Sequence, residues 1–322
     1  MARTPESFAE SPVVVSGAGG FLGSHLTRKL VQEGAEVHAL VRSGGSLDRL
    51  QGLEPFIHLH YLDLLEGDRV AALLGEVRPR VVFHLAMKGG HPGSAAERLE
   101  FLKASLFTTA HLLEACLPLG LARFVHLGSS LEYARRFRPL RESDRLRPAT
   151  GRGFMKAAAS LLVRLYAGCQ QVPAVILRPF SVYGPREGQH RFIPTVLRAA
   201  SSGQPVELSP GAPRRDFVFV ADVADACVLA ARRPVRPGTI LNVGTGVQHT
   251  NLEVIQEVER LTGRSIVVRR GSRPPSPADT ECWVSNPEKT RRVLGWQPRF
   301  DLREGLTATL AWLEGHGGDG RT

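Results

Sequence analysis

The chain is poor in cysteine. Cys116, Cys169, Cys227 and Cys282 are its four, and no two of them form a CxxC pair. That spacing excludes a zinc ribbon and a disulfide framework, so no metal site is expected and a reducing cytoplasm is the expected setting. No apolar run approaches the roughly 18 residues that cross a bilayer, so no membrane span is expected. Residues 1–12 lack the apolar centre of a signal peptide and read as a disordered leader. Residues 315–322 are glycine-rich and read as a frayed tail. Aromatic residues are sparse at 7%, and only Tyr61, Tyr133, Tyr166 and Tyr183 are tyrosines. None of them has a lysine four residues later.

Positive charge is plentiful: 41 Lys and Arg against 31 Asp and Glu give a net charge of +10. Arg135, Arg136, Arg138, Arg141, Arg145, Arg147 and Arg152 crowd one segment. No zinc finger, helix-turn-helix or aromatic-interleaved basic motif accompanies them, so nucleic acid is not an expected partner. A solvated basic loop is the expectation, compatible with attraction of an anionic nucleotide substrate. The 43% apolar and 22% charged content is that of a globular protein with room for one large or two modest domains.

The chain is organised around residues 13–23. Val13, Val14 and Val15 read as a buried strand. Gly17, Gly20 and Gly23 follow at three-residue spacing, then an amphipathic helix from Phe21 to about Glu33. A helix that begins there aims unpaired N–H groups at whatever sits above the strand end, and a pyrophosphate suits them. Gly17 permits the turn, Gly20 lets the phosphates approach and Gly23 lets the helix pack close.

Strand and helix patterns then alternate. Strands are expected at Val37–Val41, His58–Leu62, Val81–Leu85, Phe124–Leu127 and Val175–Leu177, with helices at Leu99–Cys116 and Lys156–Cys169. This alternation predicts a Rossmann doubly wound parallel sheet, with ligands at the carboxyl ends of its strands. After Pro179 the strands shorten, for example Val206–Leu208 and Phe217–Val220, and proline and glycine become frequent. The expected division is a cofactor domain over 13–180 and a smaller C-terminal α/β substrate-binding domain over 181–314, parts of which return to the sheet.

The order of motifs resembles the extended short-chain dehydrogenase/reductase family, whose members include nucleotide-sugar epimerases, dehydratases and ketoreductases. The resemblance runs over about residues 12 to 314. It is carried by Gly17-Ala-Gly-Gly-Phe-Leu-Gly23, Asp63-Leu64, His84-Leu-Ala86, Gly128-Ser-Ser-Leu-Glu-Tyr-Ala134, Arg178-Pro-Phe-Ser-Val-Tyr-Gly-Pro185, Arg215-Asp-Phe-Val-Phe-Val220 and Leu294-Gly-Trp-Gln-Pro298.

The resemblance implies a nicotinamide cofactor held by Gly17, Gly20, Phe21, Leu22, Gly23, Arg42, Ser43, Asp63, Leu64, Leu85, Ala86 and Lys156. The position that usually carries an acid for the adenosine ribose is Val41, followed by Arg42 and Ser43. A carboxylate repels a 2′-phosphate and an arginine attracts one, so NADP(H) is favoured over NAD(H). Ser129 matches the catalytic Ser or Thr. Lys156 matches the lysine of Tyr-x-x-x-Lys, but Arg152 stands at the tyrosine position, and arginine gives up no proton near neutral pH. His84, Lys88, His91 and Tyr133 are other candidate proton donors.

Ser130 and Leu131 replace the Asp-Glu pair of 4,6-dehydratases, which disfavours dehydration. Glu132 comes one place late and on strand alternation should face the other side. Ser181, Arg215 and Arg273 are the candidate substrate contacts, the arginines for a diphosphate. The expected activity is 4-keto reduction or epimerisation of a nucleoside-diphosphate sugar. A ketoreductase using a proton from another small carbonyl substrate, and a catalytically silent NADP(H) or nucleotide-sugar binding protein, remain as alternatives. A homodimer is left open.

Overall fold

The structure is a computed structural model that describes residues 7–9, 11–87, 94–277 and 279–316. Most of the expected leader, the candidate donors Lys88 and His91, and tail residues 317–322 lie outside the described residues.

The first half alternates β1 (Pro12–Ser16), α1 (Phe21–Gln32), β2 (Glu36–Val41), β3 (Ile57–Tyr61), α2 (Gly67–Val77), β4 (Val81–His84), α3 (Ala95–Cys116), β5 (Arg123–Leu127), α4 (Gly151–Cys169) and β6 (Ala174–Pro179). The second half holds β7 (Ser181–Tyr183), α5 (Phe192–Ser202), β8 (Val206–Leu208), β9 (Arg214–Arg215), β10 (Phe217–Phe219), α6 (Val220–Arg232), β11 (Thr239–Val243), β12 (His249–Thr250), α7 (Asn251–Thr262), β13 (Val268–Arg270), α8 (Glu288–Leu294) and α9 (Leu302–His316).

Seven strands form one sheet in the order β11–β6–β5–β4–β1–β2–β3, and every pairing in it is parallel. Val13 lies between Val37 and Val81, so β1 is central and buried on both faces. Leu26 and Leu30 of α1 and Val223, Ala226 and Ala230 of α6 cover one face. Leu74 of α2, Leu112 of α3 and Val163 of α4 cover the other. Helices on both faces of a parallel sheet define the doubly wound Rossmann class. The chain order reverses between β1 and β4, and the crevice above their carboxyl ends is where such sheets take ligands.

The C-terminal part has its own smaller core around Tyr183, Ile193, Val196, Phe217, Phe219, Val254 and Leu306. It surrounds the short pairs β7–β10, β9–β12 and β8–β13. The Leu-Gly-Trp-Gln-Pro motif ties this region back: Trp296 is buried, its indole N–H donates to the Asp222 carbonyl, and the Asp222 carboxylate accepts from the N–H groups of Arg299 and Phe300.

Two differences from the sequence expectation bear on the site and the sheet. Helix α4 begins at Gly151, because the Thr150 hydroxyl accepts from the Gly153 N–H and caps it. Arg152 and Lys156 therefore share one helix. The segment Thr239–Val243, unassigned in the sequence, is the seventh strand and lies against β6.

Candidate functional site

The glycine turn leaves β1 at Gly17, whose φ of +75° is left-handed; a Cβ there would come within 2.8 Å of the Ala86 backbone. A Cβ at Gly23 would overlap the Gly17 carbonyl. Gly20 caps α1 with no side chain, and no acidic residue stands in the first turn. The N–H groups at Phe21 and Leu22 thus open on an anion-favouring helix end. This turn, which the close backbone contacts at Gly17 and Gly23 reserve for glycine, fits a dinucleotide pyrophosphate. The Leu22 side chain is core, and the Phe21 ring packs edge-on against His25.

The remaining expected cofactor residues follow strand ends. Arg42 and Ser43 are exposed just past β2. Asp63 follows β3, its carboxylate accepting from the Leu65 N–H, and Leu64 is buried beneath it. Leu85 and Ala86 leave β4 beside Gly17. His84 is fully buried between Ser16 (2.8 Å) and Thr109 (2.9 Å), and burial pushes its pKa down to about 3. It is a neutral strut between β1 and α3.

Beyond β5, Ser129 opens a 3-10 turn at Ser130–Glu132. Its hydroxyl oxygen accepts from the Leu131 N–H, while its own proton meets no acceptor among the described residues. Glu132 returns the cap by accepting from the Ser129 N–H at 2.8 Å. In that turn strand alternation does not apply. Glu132 points into the protein, fully buried, bonded to Ser160 and paired with buried Arg178 at 2.7 Å. The Ser-x-x-Glu spacing of a capping box was the sequence signal for it.

Lys156 is buried on α4 and donates to the Leu127 carbonyl at 2.5 Å. Burial, with the Arg152 cation next, lowers its pKa to about 8, against an opposing pull from Glu132. Lys156 lines a small cavity with Ala86, Met87, Ser105, Thr109 and His126. His126 is buried there, and neither ring nitrogen has a hydrogen-bond partner among the described residues. Arg152 is exposed one turn before Lys156, within Coulomb reach of Arg191. Arg191 pairs with Glu187, whose carboxyl is pushed up to about 7, chiefly by burial.

The tyrosine hydroxyls are engaged elsewhere. Tyr133 is buried and donates to the Asn242 side chain at 2.6 Å, which removes it as a donor open to the cleft. Tyr166 donates to Glu114, and Tyr183 donates to backbone carbonyls at Asp301 and Leu302. Tyr61 ends the edge strand β3, half exposed.

At the substrate end, Asp216 is buried and accepts from Thr245, Gly246 and Ser285, fixing the strand that carries Arg215. Arg215 pairs with Asp279 at 3.0 Å and feels Arg135 and Arg191. The Ser181 N–H donates to the Asp216 carbonyl, placing Ser181 beside this strand. Arg273 is exposed on the following loop. The structure thus brings Arg215, Arg135 and Arg191 near one another. Glu187, Arg191, Asp279 and His126 were not singled out in the sequence, because only the fold brings their distant segments together.

A glycine cradle at the switch point of a doubly wound parallel sheet is the arrangement of a Rossmann dinucleotide-binding protein. Comparison with known proteins agrees. The model of the NAD dependent epimerase/dehydratase family matches residues 13–244, and the chain belongs to that family. It is similar to a UDP-glucose 4-epimerase of Mycolicibacterium smegmatis, 29% identical over 93% of this chain and 97% of that protein. It is also similar to the dTDP-D-glucose 4,6-dehydratase of Mus musculus, 26% identical over 96% of this chain and 90% of that one. Among solved structures, MoeE5 in complex with UDP-glucuronic acid and NAD is 31% identical, with a TM-score of 0.83 over 95% of this chain and 99% of that one. An epimerase of Methanothermobacter thermautotrophicus is 26% identical, with a TM-score of 0.88 over 97% and 95% of the two chains.

Proposed function

We propose that this chain is an NAD(P)-dependent enzyme acting at a hydroxyl or carbonyl carbon of a nucleoside-diphosphate sugar, by epimerisation or 4-keto reduction. The observation that carries this reading is a convergence: the glycine cradle, Ser129 and Lys156 all gather at the carboxyl ends of β1, β4 and β5, around the switch point. A bound nicotinamide supplies hydride chemistry at the sugar carbon. Solved relatives carry UDP-sugars with NAD. For this chain Val41 and Arg42 favour the 2′-phosphate of NADP(H).

The chain's own residues divide the remaining work. Ser129, with its hydroxyl proton unspent, hydrogen-bonds the reacting sugar oxygen. Lys156, its pKa near 8, moves the proton that a tyrosine would move in Tyr-x-x-x-Lys. Arg152 at that tyrosine position joins Arg191 to favour an anionic group on the substrate. Arg215 and Arg273 hold the diphosphate, Arg215 by exchanging its Asp279 partner for phosphate oxygens. The absence of carboxylates at Ser130 and Leu131, and the burial of Glu132 against Arg178, argue against water elimination.

The test is steady-state NADPH oxidation with a 4-keto nucleotide sugar, beside NMR of UDP-glucose or UDP-glucuronic acid incubated with enzyme and oxidised cofactor. Turnover in either assay is expected. Tight binding of cofactor and nucleotide sugar without turnover would replace this reading with a silent binding protein.

A further inference from the structure

Starting at the end of the sheet opposite the cofactor cradle, β2 carries Glu36 and His38 and the neighbouring β3 carries His58 and His60. The parallel register sets His38 beside His58, and Glu36 and His60 follow at two-residue steps on the same face. The His38 and His58 rings stack with centroids 4.6 Å apart. His38 Nε2 lies 3.2 Å and His58 Nε2 3.5 Å from the same Glu36 Oε1, and these three atoms all lie within 4.8 Å of one another.

We infer that Glu36, His38 and His58 form a binding site for a divalent transition-metal ion of the zinc class. A tetrahedral ion with bonds of about 2.0–2.1 Å sets its ligand atoms roughly 3.3–3.4 Å apart. The two carboxylate–imidazole separations lie close to that edge, and a turn of the exposed His58 ring out of its stack on His38 would bring the second lone pair onto the ion. Two imidazoles and one carboxylate suit Zn²⁺, Ni²⁺ or Cu²⁺ and are poor donors for Mg²⁺ or Ca²⁺. Water completes the coordination on the exposed side, where the His58 side chain is 59% accessible.

His60 orients the site. Its Nε2 lies 3.0 Å from His38 Nδ1. Without an ion His38 Nε2 donates to the Glu36 carboxylate; an ion would take that place, and the imidazole proton moved to Nδ1 would then be directed at His60, leaving the Nε2 lone pair for the metal. Glu76 of α2 is within Coulomb reach of both rings and adds negative charge. A bound ion would fasten β3, the edge strand, to β2. The scarcity of cysteine conceals this site in the sequence, because its donors are imidazoles on two different strands.

The test is calorimetric titration of untagged, chelator-treated full-length protein with zinc sulfate, alongside thermal melts. One saturable site is expected, with a melting-temperature rise of roughly 4 °C at a hundredfold excess over Kd. His58→Ala, which alters an exposed side chain, should abolish both signals. His60→Ala should weaken binding by about 10- to 100-fold while leaving one site. No saturable binding by the parent, or undiminished binding by His58→Ala, overturns the assignment. So does equal binding of magnesium.

Discussion

Arg152 and Lys156 stand one helical turn apart on α4, and the guanidinium joins burial in holding the Lys156 ammonium down to about 8. In Tyr-x-x-x-Lys a lysine lowers the pKa of a tyrosine. Here the residue four places before Lys156 is Arg152, and its cation acts on the lysine. On the function proposed here, the group that titrates near neutral pH moves from the tyrosine to the lysine.

The pH profile reports this directly. A 4-keto reduction needs protonated Lys156, so its rate should hold below pH 8 and fall as pH rises through it. The oxidative direction should show the opposite limb. Arg152→Gln removes the neighbouring cation, so the limb should move to higher pH. Arg152→Tyr rebuilds Tyr-x-x-x-Lys and should speed reduction of a neutral 4-keto sugar by about 10²-fold or more. Steady-state rates from pH 6 to 10 on parent and variants check all three. A limb that stays put in Arg152→Gln would sink the coupling.

The proposed preference for NADP(H) rests on Val41 and Arg42. A charge-assisted contact of about 1.4 kcal/mol corresponds to roughly tenfold tighter NADPH than NADH. Calorimetry with both cofactors measures the ratio, and Arg42→Ala should narrow it. Equal affinities in the parent would refute the preference.

Arg215 should be separable from the cofactor. Arg215→Ala is expected to weaken UDP binding with NADPH binding intact, and Arg215→Lys to do so only partly, because a guanidinium grips phosphate with two parallel bonds. Asp279 competes for the same guanidinium at 3.0 Å. Asp279→Asn should therefore tighten UDP binding. Unchanged UDP affinity in Arg215→Ala would place the diphosphate elsewhere.

The buried Glu132–Arg178 pair predicts a stability effect. Both side chains are 1% exposed or less. Glu132→Ala leaves an uncompensated buried cation and should cost about 3–5 kcal/mol in urea unfolding. Removing both charges as Glu132→Gln with Arg178→Met should cost less than the single Ala variant. A loss under about 1 kcal/mol would mean that water enters to replace the carboxylate.

Much of this was legible in the sequence because it is local. Val13 to Gly23 encodes strand, turn and helix in eleven consecutive residues, and the structure has each of them. The parallel order followed from alternation of strand and helix. Less legible were features made by distance. Thr239–Val243 has the composition of many short strands, and only its place beside β6 makes it part of the sheet. Glu132 was judged by strand alternation, but its backbone is a capped turn, so its side chain goes inward. The partners of Arg215 and Arg152, namely Asp279 and Arg191, come from segments far along the chain.

The return of β11 to the sheet bears on how the protein can be made. A chain cut after β6 would end with that strand's outer row of N–H and C=O groups unpaired, and with one face of the sheet stripped of α6. Bare parallel edges of this kind recruit other chains. The amino-terminal half cut there would lack its seventh strand, and during synthesis the nascent sheet stays incomplete until the ribosome has delivered residue 243.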